Sequence, residues 1–413
     1  MKQPIALALT AVLAAGLCAP AYAANTPAVQ TAPTVKTLRF DELERTVREN
    51  NLSVKAFAQQ LKSVQETKVS TSYDNQYFNI SQQINQYQSQ IKELNDAIAA
   101  LGTDASSDAL RKTLTTQRTA LQNSLRALQI SYSDLKDSED DATDKHKDTL
   151  TATERQITNA TDLLCVGAQS TFVSLHTLEV SQNQLTHALA QLDRSIAIVR
   201  AQVSRGMAGA LDLLALQSQR ETLLANQKTL EVQRANLQNS LAVQCGLGAD
   251  AKLELTTLPE VTAEQLAAMN YDQDLAEALK NSYSIWAKQD AAQQASRDYE
   301  NDVTDNIYAY EAAKITAQAE PDNVKTAFRQ LYNAVRDKKS ALDAANADAA
   351  QGSKTFAAKQ VQYTRGALSK NEYLQAQDDL AALQRAQTSA KINLLTAYNQ
   401  YNWAKRGVMS TNA

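Results

Sequence analysis

The stretches QVSRGMAGALDLLALQ (residues 202–217) and QYTRGALSKNEYLQAQ (residues 362–377) carry the same pattern, 160 residues apart in the chain. Each places an Arg-Gly pair inside an otherwise helical pattern, with a carboxylate six residues after the glycine. These residues are Arg205, Gly206 and Asp212 in the first stretch, and Arg365, Gly366 and Glu372 in the second. Internal symmetry identifies an architecture better than a single motif does. The sequence therefore predicts a duplicated unit of helix, tight turn and helix.

The composition predicts long helices rather than compact domains. The 413 residues include only 10 Gly and 6 Pro, and no proline lies between Thr34 and Leu258. Because proline breaks helix interiors and glycine weakens them, a chain so poor in both favours uninterrupted helices. Apolar residues recur at helical spacing among Gln, Ser and Asn, which is typical of helices that pack side by side. We predict an elongated all-α protein built from coiled-coil hairpins in two internal repeats.

The two repeats begin with related helices but differ in length. Helical patterning starts at residues 38–47 and again at 270–279, and these starts are 231 residues apart. The first repeat therefore carries extra residues, which we place at about 70–152. A turn signal at residues 102–108 separates two heptad-like stretches there, so we predict an inserted helical hairpin.

The chain divides at a few glycine and proline positions. The predicted boundaries are residues 37–245 for the first helical repeat, 246–261 for a linker, 262–407 for the second repeat and 408–413 for a frayed tail. Within the second repeat, residues 319–323 contain Pro321 and form the clearest predicted break.

The N-terminus predicts export. Lys2 precedes an apolar run at residues 5–17, and an Ala-Tyr-Ala cleavage pattern ends a secretory signal peptide at residues 1–23. The run is too short for a stable membrane-spanning helix. Residues 24–36 are rich in Pro, Thr and Ala and predict a flexible leader. We therefore expect an exported protein.

Charge and motifs exclude several classes of function. The formal net charge is −4 at pH 7, so we predict no nucleic-acid partner. The sequence has no nucleotide-binding glycine loop, no zinc pattern and no nucleophile elbow. His176 and His187 share a helix face, but no other ligand is near in sequence, and a satisfied polar role is the better interpretation. We predict that the protein is not an enzyme and holds no cofactor or metal.

Cys165 and Cys245 leave two interpretations open. In an antiparallel hairpin that turns near residues 206–210, the two cysteines come close to facing each other, and an exported protein permits a disulfide. A disulfide needs Cα atoms within about 7 Å, and the pair can be several residues out of register. Two buried thiols agree with the sequence at least as well.

The repeated turns resemble those of the outer-membrane efflux proteins typified by TolC. That family has two repeats, each with a short turn of a glycine and a hydrophobic residue, followed by an acidic residue and a helix rich in Leu and Gln. The matching residues here are Arg205, Gly206, Met207 and Asp212 in one turn, Arg365, Gly366, Ala367 and Glu372 in the other, Asn50 and Asn281 in the opening helices, and Gly246, Leu247 and Gly248 between the repeats. The resemblance covers most of the chain after residue 23.

The resemblance implies a homotrimer whose helices enclose a hollow tunnel in the outer membrane or cell envelope. The two Arg-Gly turns would be its tips and would dock a periplasmic adaptor protein, which works with an inner-membrane pump of the ABC or RND type. Asp212 and Glu372 would form an acidic ring at the aperture, or they would only cap the helices that follow the turns. The function implied is an efflux or secretion conduit.

One part of the family's pattern is missing. In the family each repeat also contributes strands to a membrane β-barrel, and such a strand needs about ten alternating residues. The best candidates here, residues 73–80 and 306–314, are short and polar. We therefore predict a TolC-like helical body with the β-barrel reduced or absent. The same feature favours an alternative function, a structural coiled-coil spacer or scaffold of the cell envelope without a lumen.

Overall fold

The fold consists of long helices and one small sheet. A computed structural model of the chain describes residues 36–103, 105–300 and 307–409. The helices are α1 (Leu43–Asn50), α2 (Leu52–Gln65), α3 (Thr71–Ala100), α4 (Ala105–Val203), α5 (Ala210–Gln244), α6 (Ala263–Ala267), α7 (Tyr271–Asn281), α8 (Tyr283–Glu300), α9 (Ile307–Thr364) and α10 (Lys370–Lys405). The strands are β1 (Lys36–Leu38) and β2 (Leu253–Leu255), and a 3-10 helix covers Phe40–Glu42. The prediction of an all-α fold of long helices is confirmed.

Two antiparallel hairpins form the body of the protein. α4 contains 99 residues, and at 1.5 Å per residue such a helix is about 150 Å long. It turns back into α5, and α9 turns back into α10. α4 also packs against α10, so the two hairpins lie side by side. Since long helices gain most of their stability from packing rather than from propensity, each hairpin depends on the apolar stripe that its partner covers.

The larger core joins α1, α4 and α5. Leu43 and Val47 of α1 are fully buried together with Phe172 of α4. Cys165 and Cys245 lie in the same core as free, buried thiols. Burial raises the pKa of each thiol to about 11. The interpretation of Cys165 and Cys245 as two buried thiols is therefore correct, and the one that joins them in a disulfide is not.

The smaller core repeats this arrangement in the second half of the chain. Phe328 of α9 and Tyr401 of α10 are fully buried there. Asp274 of α7 accepts a hydrogen bond from Tyr401 and lies 2.5 Å from Nζ of Lys405. Burial opposes ionisation of Asp274, but the bonds from Lys405 and Tyr401 outweigh it and hold the pKa of this carboxyl below its ordinary value. A charged carboxylate thus ties α7 to α10.

Each hairpin ends against the asparagine that closes the opening helix of its repeat. Gly246 follows α5 with φ at 71°, and Gly407 follows α10 with φ at 89°. A Cβ atom at Gly246 would lie 2.1 Å from the carbonyl oxygen of Asn50, and one at Gly407 would lie 2.2 Å from that of Asn281. Only glycine permits both the left-handed conformation and so close an approach.

The N-terminal prediction needs two corrections. β1 and β2 form a parallel pair in which Lys36 lies opposite Leu253 and Leu38 opposite Leu255. Lys36 is therefore part of a strand rather than the end of a leader, and the helix predicted from residue 38 begins only at Leu43. The cause is a tertiary contact, since β2, which lies in the linker between the repeats, supplies the backbone hydrogen-bond partners of β1. The predicted signal peptide and the rest of the leader lie outside the described residues.

The predicted tail begins too early. Val408 is buried in the larger core, and its N–H donates to the carbonyl oxygen of Trp403 at 2.9 Å. This bond closes α10 in the manner of a Schellman motif, so Val408 is anchored rather than frayed. Residues 410–413 lie outside the described residues.

α9 runs without a break through Pro321, although a break was predicted at residues 319–323. A proline inside a helix removes one hydrogen bond and costs about 3 kcal/mol. Val324 and Phe328 are buried one and two turns farther along α9. Burial of this stripe offsets the loss, and the predicted break is wrong.

α3 and the first half of α4 form a separate two-helix arm, here defined as residues 71–103 and 105–150. The ring centroids of Tyr77 and Tyr132 are 5.2 Å apart, and the hydroxyl of Tyr77 donates to Glu139 at 2.7 Å. The two helices are thus antiparallel neighbours, joined near residue 102 where the sequence carries its turn signal. Residues 73–80 and 307–314, which cover the described part of the two strand candidates, are helical.

Candidate functional site

Tip 1, defined as residues 204–209, is a tight turn between α4 and α5. Gly206 has φ at 71°. The N–H of Met207 donates to the carbonyl oxygen of Gln202, and the N–H of Gly206 to that of Val203, both at 2.9 Å. This bonding is the Schellman motif, which satisfies the last carbonyl groups of α4 and requires a left-handed residue at the glycine position.

Tip 2, defined as residues 365–369, repeats the same turn between α9 and α10. Gly366 has φ at 75°. The N–H of Ala367 donates to the carbonyl oxygen of Gln362, and the N–H of Gly366 to that of Tyr363, again both at 2.9 Å. The duplication found in the sequence is therefore a duplication of backbone geometry.

The glycines of both tips face open space. A Cβ atom at Gly206 or at Gly366 would meet no atom within 4 Å. Glycine is needed at each tip for its left-handed φ and not for lack of room. Because nothing within the described chain covers either turn, the backbone of both tips is open to a partner.

Both tip arginines are free to bind. Arg205 and Arg365 are exposed, and within the described chain neither side chain has a hydrogen-bond or ion-pair partner. A guanidinium group offers five N–H donors in a fixed planar arrangement, which suits carboxylate and carbonyl acceptors. Each tip therefore presents one unused cation beside an open backbone turn.

Tip 1 also presents apolar side chains to solvent. Met207 is 64% exposed, Leu211 79% and Leu214 60%. The last two lie on the first two turns of α5 and share one side of the helix, since residues three apart are neighbours. Together the three side chains form an apolar patch at the end of the first hairpin.

Tip 2 packs its large side chains against each other instead. The rings of Tyr363 and Tyr373 stack with centroids 4.5 Å apart, and Phe356 lies 5.6 Å from Tyr373. These aromatic contacts link α9 to α10 directly above the turn. The two tips thus share a backbone but differ in what they expose.

The two carboxylates after the turns have a structural role in the monomer. The carboxylate of Asp212 accepts from the N–H of Gly209 at 3.0 Å, and that of Glu372 accepts from the N–H of Ser369 at 2.9 Å. The hydroxyl of Ser369 in turn accepts from the N–H of Glu372 at 3.3 Å, which completes a capping box at tip 2. The bond from Ser369 lowers the pKa of Glu372. Both carboxylates cap their helices and remain exposed.

An ion pair between the hairpins places both tips at one end of the molecule. Arg194 of α4 contacts the buried carboxylate of Asp378 of α10. Each of the two lies twelve residues from the glycine of its tip, a helical distance of about 18 Å. The tips are therefore level with each other. The sequence analysis missed this pair, although the Asp-Asp dipeptide in an Ala- and Leu-rich helix was a usable signal.

Of the two histidines singled out in the sequence, His176 has a hydrogen-bond partner within the protein. Nε2 of His176 lies 3.0 Å from the carbonyl oxygen of Thr256, as expected for a satisfied polar histidine. Across the described residues, no group of three or more His, Cys, Asp or Glu side chains is arranged to hold a metal ion. None of the described helices combines the length and the apolarity that crossing a membrane requires.

Solved structures match the fold, although no protein-family model and no curated protein matches the sequence. The Campylobacter jejuni CmeC outer membrane channel aligns with a TM-score of 0.51 and 12% identity over 67% of this chain and 69% of that chain. The Vibrio cholerae outer membrane protein VceC gives 0.49 and 11% over 90% of this chain and 96% of that chain. The Neisseria gonorrhoeae MtrE outer membrane channel, in its open state, gives 0.46 and 13% over 90% of each chain.

The likeness to CmeC identifies the fold as TolC-like. The assignment rests on CmeC, because the other two TM-scores are below 0.5. The resemblance seen in the sequence is therefore confirmed at the level of the fold.

Proposed function

We propose that the protein is a component of an efflux or secretion conduit, a homotrimer whose long helices enclose a tunnel. The observation that carries this proposal is the pair of matched tips, which lie level at one end of the body with open backbones and unpaired arginines. The TolC-like fold supports it, and CmeC, which has this fold, is an outer membrane channel. A passive spacer would gain nothing from two matched polar tips.

In this proposal the tips dock a periplasmic adaptor protein. Arg205 and Arg365 donate hydrogen bonds to carboxylate or carbonyl groups of the adaptor, while the open turns at Gly206 and Gly366 allow its backbone to approach closely. Met207 at tip 1 supplies an apolar anchor, and Ala367 occupies the same position at tip 2. Because the tips are level, one adaptor surface can reach both.

The rest of the assembly follows from the same proposal. The protein is exported to the cell envelope and acts at the outer membrane, and an inner-membrane pump of the ABC or RND type supplies the energy. Residues 37–245 and 262–407 act as the two repeats, each contributing one hairpin, with residues 246–261 as their linker. Three copies each of Asp212 and Glu372 form an acidic ring at the aperture that favours cations, in addition to capping their own helices.

Electron microscopy of the purified full chain after signal removal tests the conduit. In negative-stain images viewed from the tip end, a conduit will appear as hollow particles with threefold symmetry. Solid rods without a lumen, or single hairpin monomers, would reject the conduit. Rods would favour the alternative of a structural envelope spacer.

A pull-down with a periplasmic adaptor protein from the same cell envelope tests the docking. Proline cannot adopt the positive φ of these turns and lacks the N–H that each glycine donates. Gly206→Pro combined with Gly366→Pro will therefore abolish adaptor capture while circular dichroism stays helical. Capture at the wild-type level would contradict the docking.

A charge reversal that leaves the backbone intact gives a second test. Arg205→Glu with Arg365→Glu will also lose adaptor capture. Arg234→Glu is the matched control, since Arg234 is an exposed arginine of the same hairpin that lies 28 residues beyond Gly206, or about 42 Å along a helix. If the control loses capture equally, general charge and not the tip is responsible.

A further inference from the structure

The arm carries an uncharged belt across both of its helices. α3 has no charged residue from Asn75 to Ile91, and residues 119–133 of α4 include only Arg126. These two segments, here called the belt, lie opposite each other, because Tyr77 meets Tyr132 at one edge and Arg118 donates to Asn95 at 3.3 Å near the other. Outside the belt the arm is charged, most densely in the acidic run of residues 134–148.

The described residues of a single chain leave the belt half covered. No residue of α3 is buried, and the buried residues of α4 begin only at Thr153, beyond the arm. Phe78 is 64% exposed and Ile130 56%. Among the described elements, α3 makes extensive contacts with α4 alone.

The described part of α8, which lies beside the base of the arm, does not supply the missing cover. Arg297, near the end of α8, pairs with Asp148 of α4 at 3.1 Å. Asp148 lies at the base of the arm, fifteen residues from the nearest edge of the belt, or about 22 Å along the helix. The described part of α8 ends three residues later at Glu300, and it therefore stops short of the belt.

The composition of the belt is that of an interface rather than of a solvated surface. Charged residues are depleted and aromatic residues enriched at the centres of protein interfaces, and the belt holds Tyr77, Phe78, Tyr87 and Tyr132 among Gln, Asn and Ser. The belt therefore has the composition of a surface that another protein surface covers.

We propose that the belt is the surface through which the arms of separate copies of this chain pack against each other. An amide-rich face whose only charge is that of Arg126 can meet its own copy with little like-charge repulsion, whereas the acidic run at residues 134–148 repels its own copy. Contact between identical arms is therefore confined to the belt. The inference rests on the proposed function, since the copies are those of the proposed homotrimer.

Site-directed cross-linking of the full chain tests the belt. Gln82 is exposed and lies one helical turn from Phe78. In a threefold assembly a residue meets its own copies only near the axis, so belts that converge on the axis will let Gln82→Cys form covalent dimers with a short bis-maleimide reagent. Thr143→Cys is the matched control, an exposed position of the same arm inside the acidic run. It will cross-link several-fold less. Wild type without the signal peptide, and therefore without Cys18, serves as the blank because Cys165 and Cys245 are buried.

Charge insertion at the belt gives the second arm of the experiment. Phe78→Lys in the Gln82→Cys background will remove most of the cross-link, because it places like charges face to face. Tyr308→Lys in the same background is the control, since Tyr308 is an exposed aromatic residue outside the arm. It will leave the cross-link unchanged, and circular dichroism will report helix content for every variant.

Light scattering on the same samples separates the two proposals. A trimer whose Gln82→Cys variant cross-links no better than Thr143→Cys overturns the belt and leaves the conduit standing. A monomer overturns the homotrimer and the belt together. A trimer with a strong cross-link that Phe78→Lys removes supports both.

Discussion

The two ends of each hairpin use the same glycine turn for opposite purposes. At the tips, Gly206 and Gly366 close their helices in open space, where an added Cβ would touch nothing. At the other end, Gly246 and Gly407 close their helices against Asn50 and Asn281, whose carbonyl groups occupy the space that a Cβ atom would need. Local backbone geometry is thus the same at four places, and only the surroundings separate a surface for partners from a structural lock.

The difference separates the end of the fold that intramolecular contacts hold in place from the end that is free to bind a partner. At the locked end, Arg406 donates two hydrogen bonds to Glu44, at 2.7 and 2.9 Å, and joins the last helix to the first. Near the tips, one described ion pair, between Arg194 and Asp378, joins α4 to α10. The repeats are therefore joined by more polar bonds at the locked end than near the tips, where we propose docking.

The most direct test of this difference is to add one methyl group at the glycines of the tips and at those of the locked end. Gly246→Ala and Gly407→Ala combine the left-handed penalty of about 1–2 kcal/mol with backbone overlap of about 1–3 kcal/mol, and so will destabilise the protein by about 2–5 kcal/mol. Gly206→Ala and Gly366→Ala will cost only the first part, about 1–2 kcal/mol. Chemical denaturation measures all four. Equal losses at both ends would contradict the distinction.

The ion pair near the tips is expected to contribute less than the locked end. Arg194→Ala leaves the buried carboxylate of Asp378 without its partner. Since Arg194 is partly exposed, the loss will be about 1–3 kcal/mol rather than the full value for a buried pair. A double-mutant cycle with Asp378→Asn, read by thermal unfolding, measures the coupling. A coupling energy near zero would show that the hairpins are held together by apolar packing instead.

The caps distinguish one tip from the other. Ser369 and Glu372 form a full capping box at tip 2, whereas Gly209 at tip 1 has no side chain to offer. Ser369→Ala will cost about 1 kcal/mol. Gly209→Ser will be neutral or gain a few tenths of a kcal/mol. Thermal unfolding of the two variants side by side checks this, and a loss at Gly209→Ser would mean that the cap geometry at tip 1 requires glycine.

Acid is expected to loosen the locked end slightly. The bonds from Arg406 lower the pKa of Glu44, burial opposes this, and Arg48 adds to the lowering. A depressed pKa stabilises the fold above the ordinary value of 4.5, and this stability is lost as pH falls through the lowered pKa. Because the pair is partly exposed, the loss will be at most about 1 kcal/mol. Between pH 7 and pH 3 the melting temperature should fall less for Glu44→Gln than for wild type. An equal fall in the two proteins would reject this role of Glu44.

Residues whose role is local could be predicted from the sequence. The Arg-Gly pairs with an acidic residue six positions later encode a Schellman turn and a cap, and both form within a few residues of chain. The long helices were predictable for the same reason, because the absence of proline acts residue by residue.

Residues whose role depends on distant partners could not be predicted. Leu38 fits a helical pattern but lies in a strand, because residues of the linker pair with it. Pro321 predicts a break, but the buried stripe of α9 continues past it. The apolar patch at tip 1 was also missed, since Leu211 and Leu214 look like core residues until the packing shows that no helix covers them. In each case tertiary contacts outweigh local preference.

The parallel pairing of β1 with β2 has a consequence for the order of folding. Lys36 is synthesised more than two hundred residues before its partner Leu253. Hairpins such as α9–α10 close over short sequence separations and therefore form quickly, whereas non-local pairing is slow. β1 must wait, with its backbone unpaired, until the whole first repeat has emerged. The pairing of β1 with β2 is therefore expected to form late, after the helices of the first repeat.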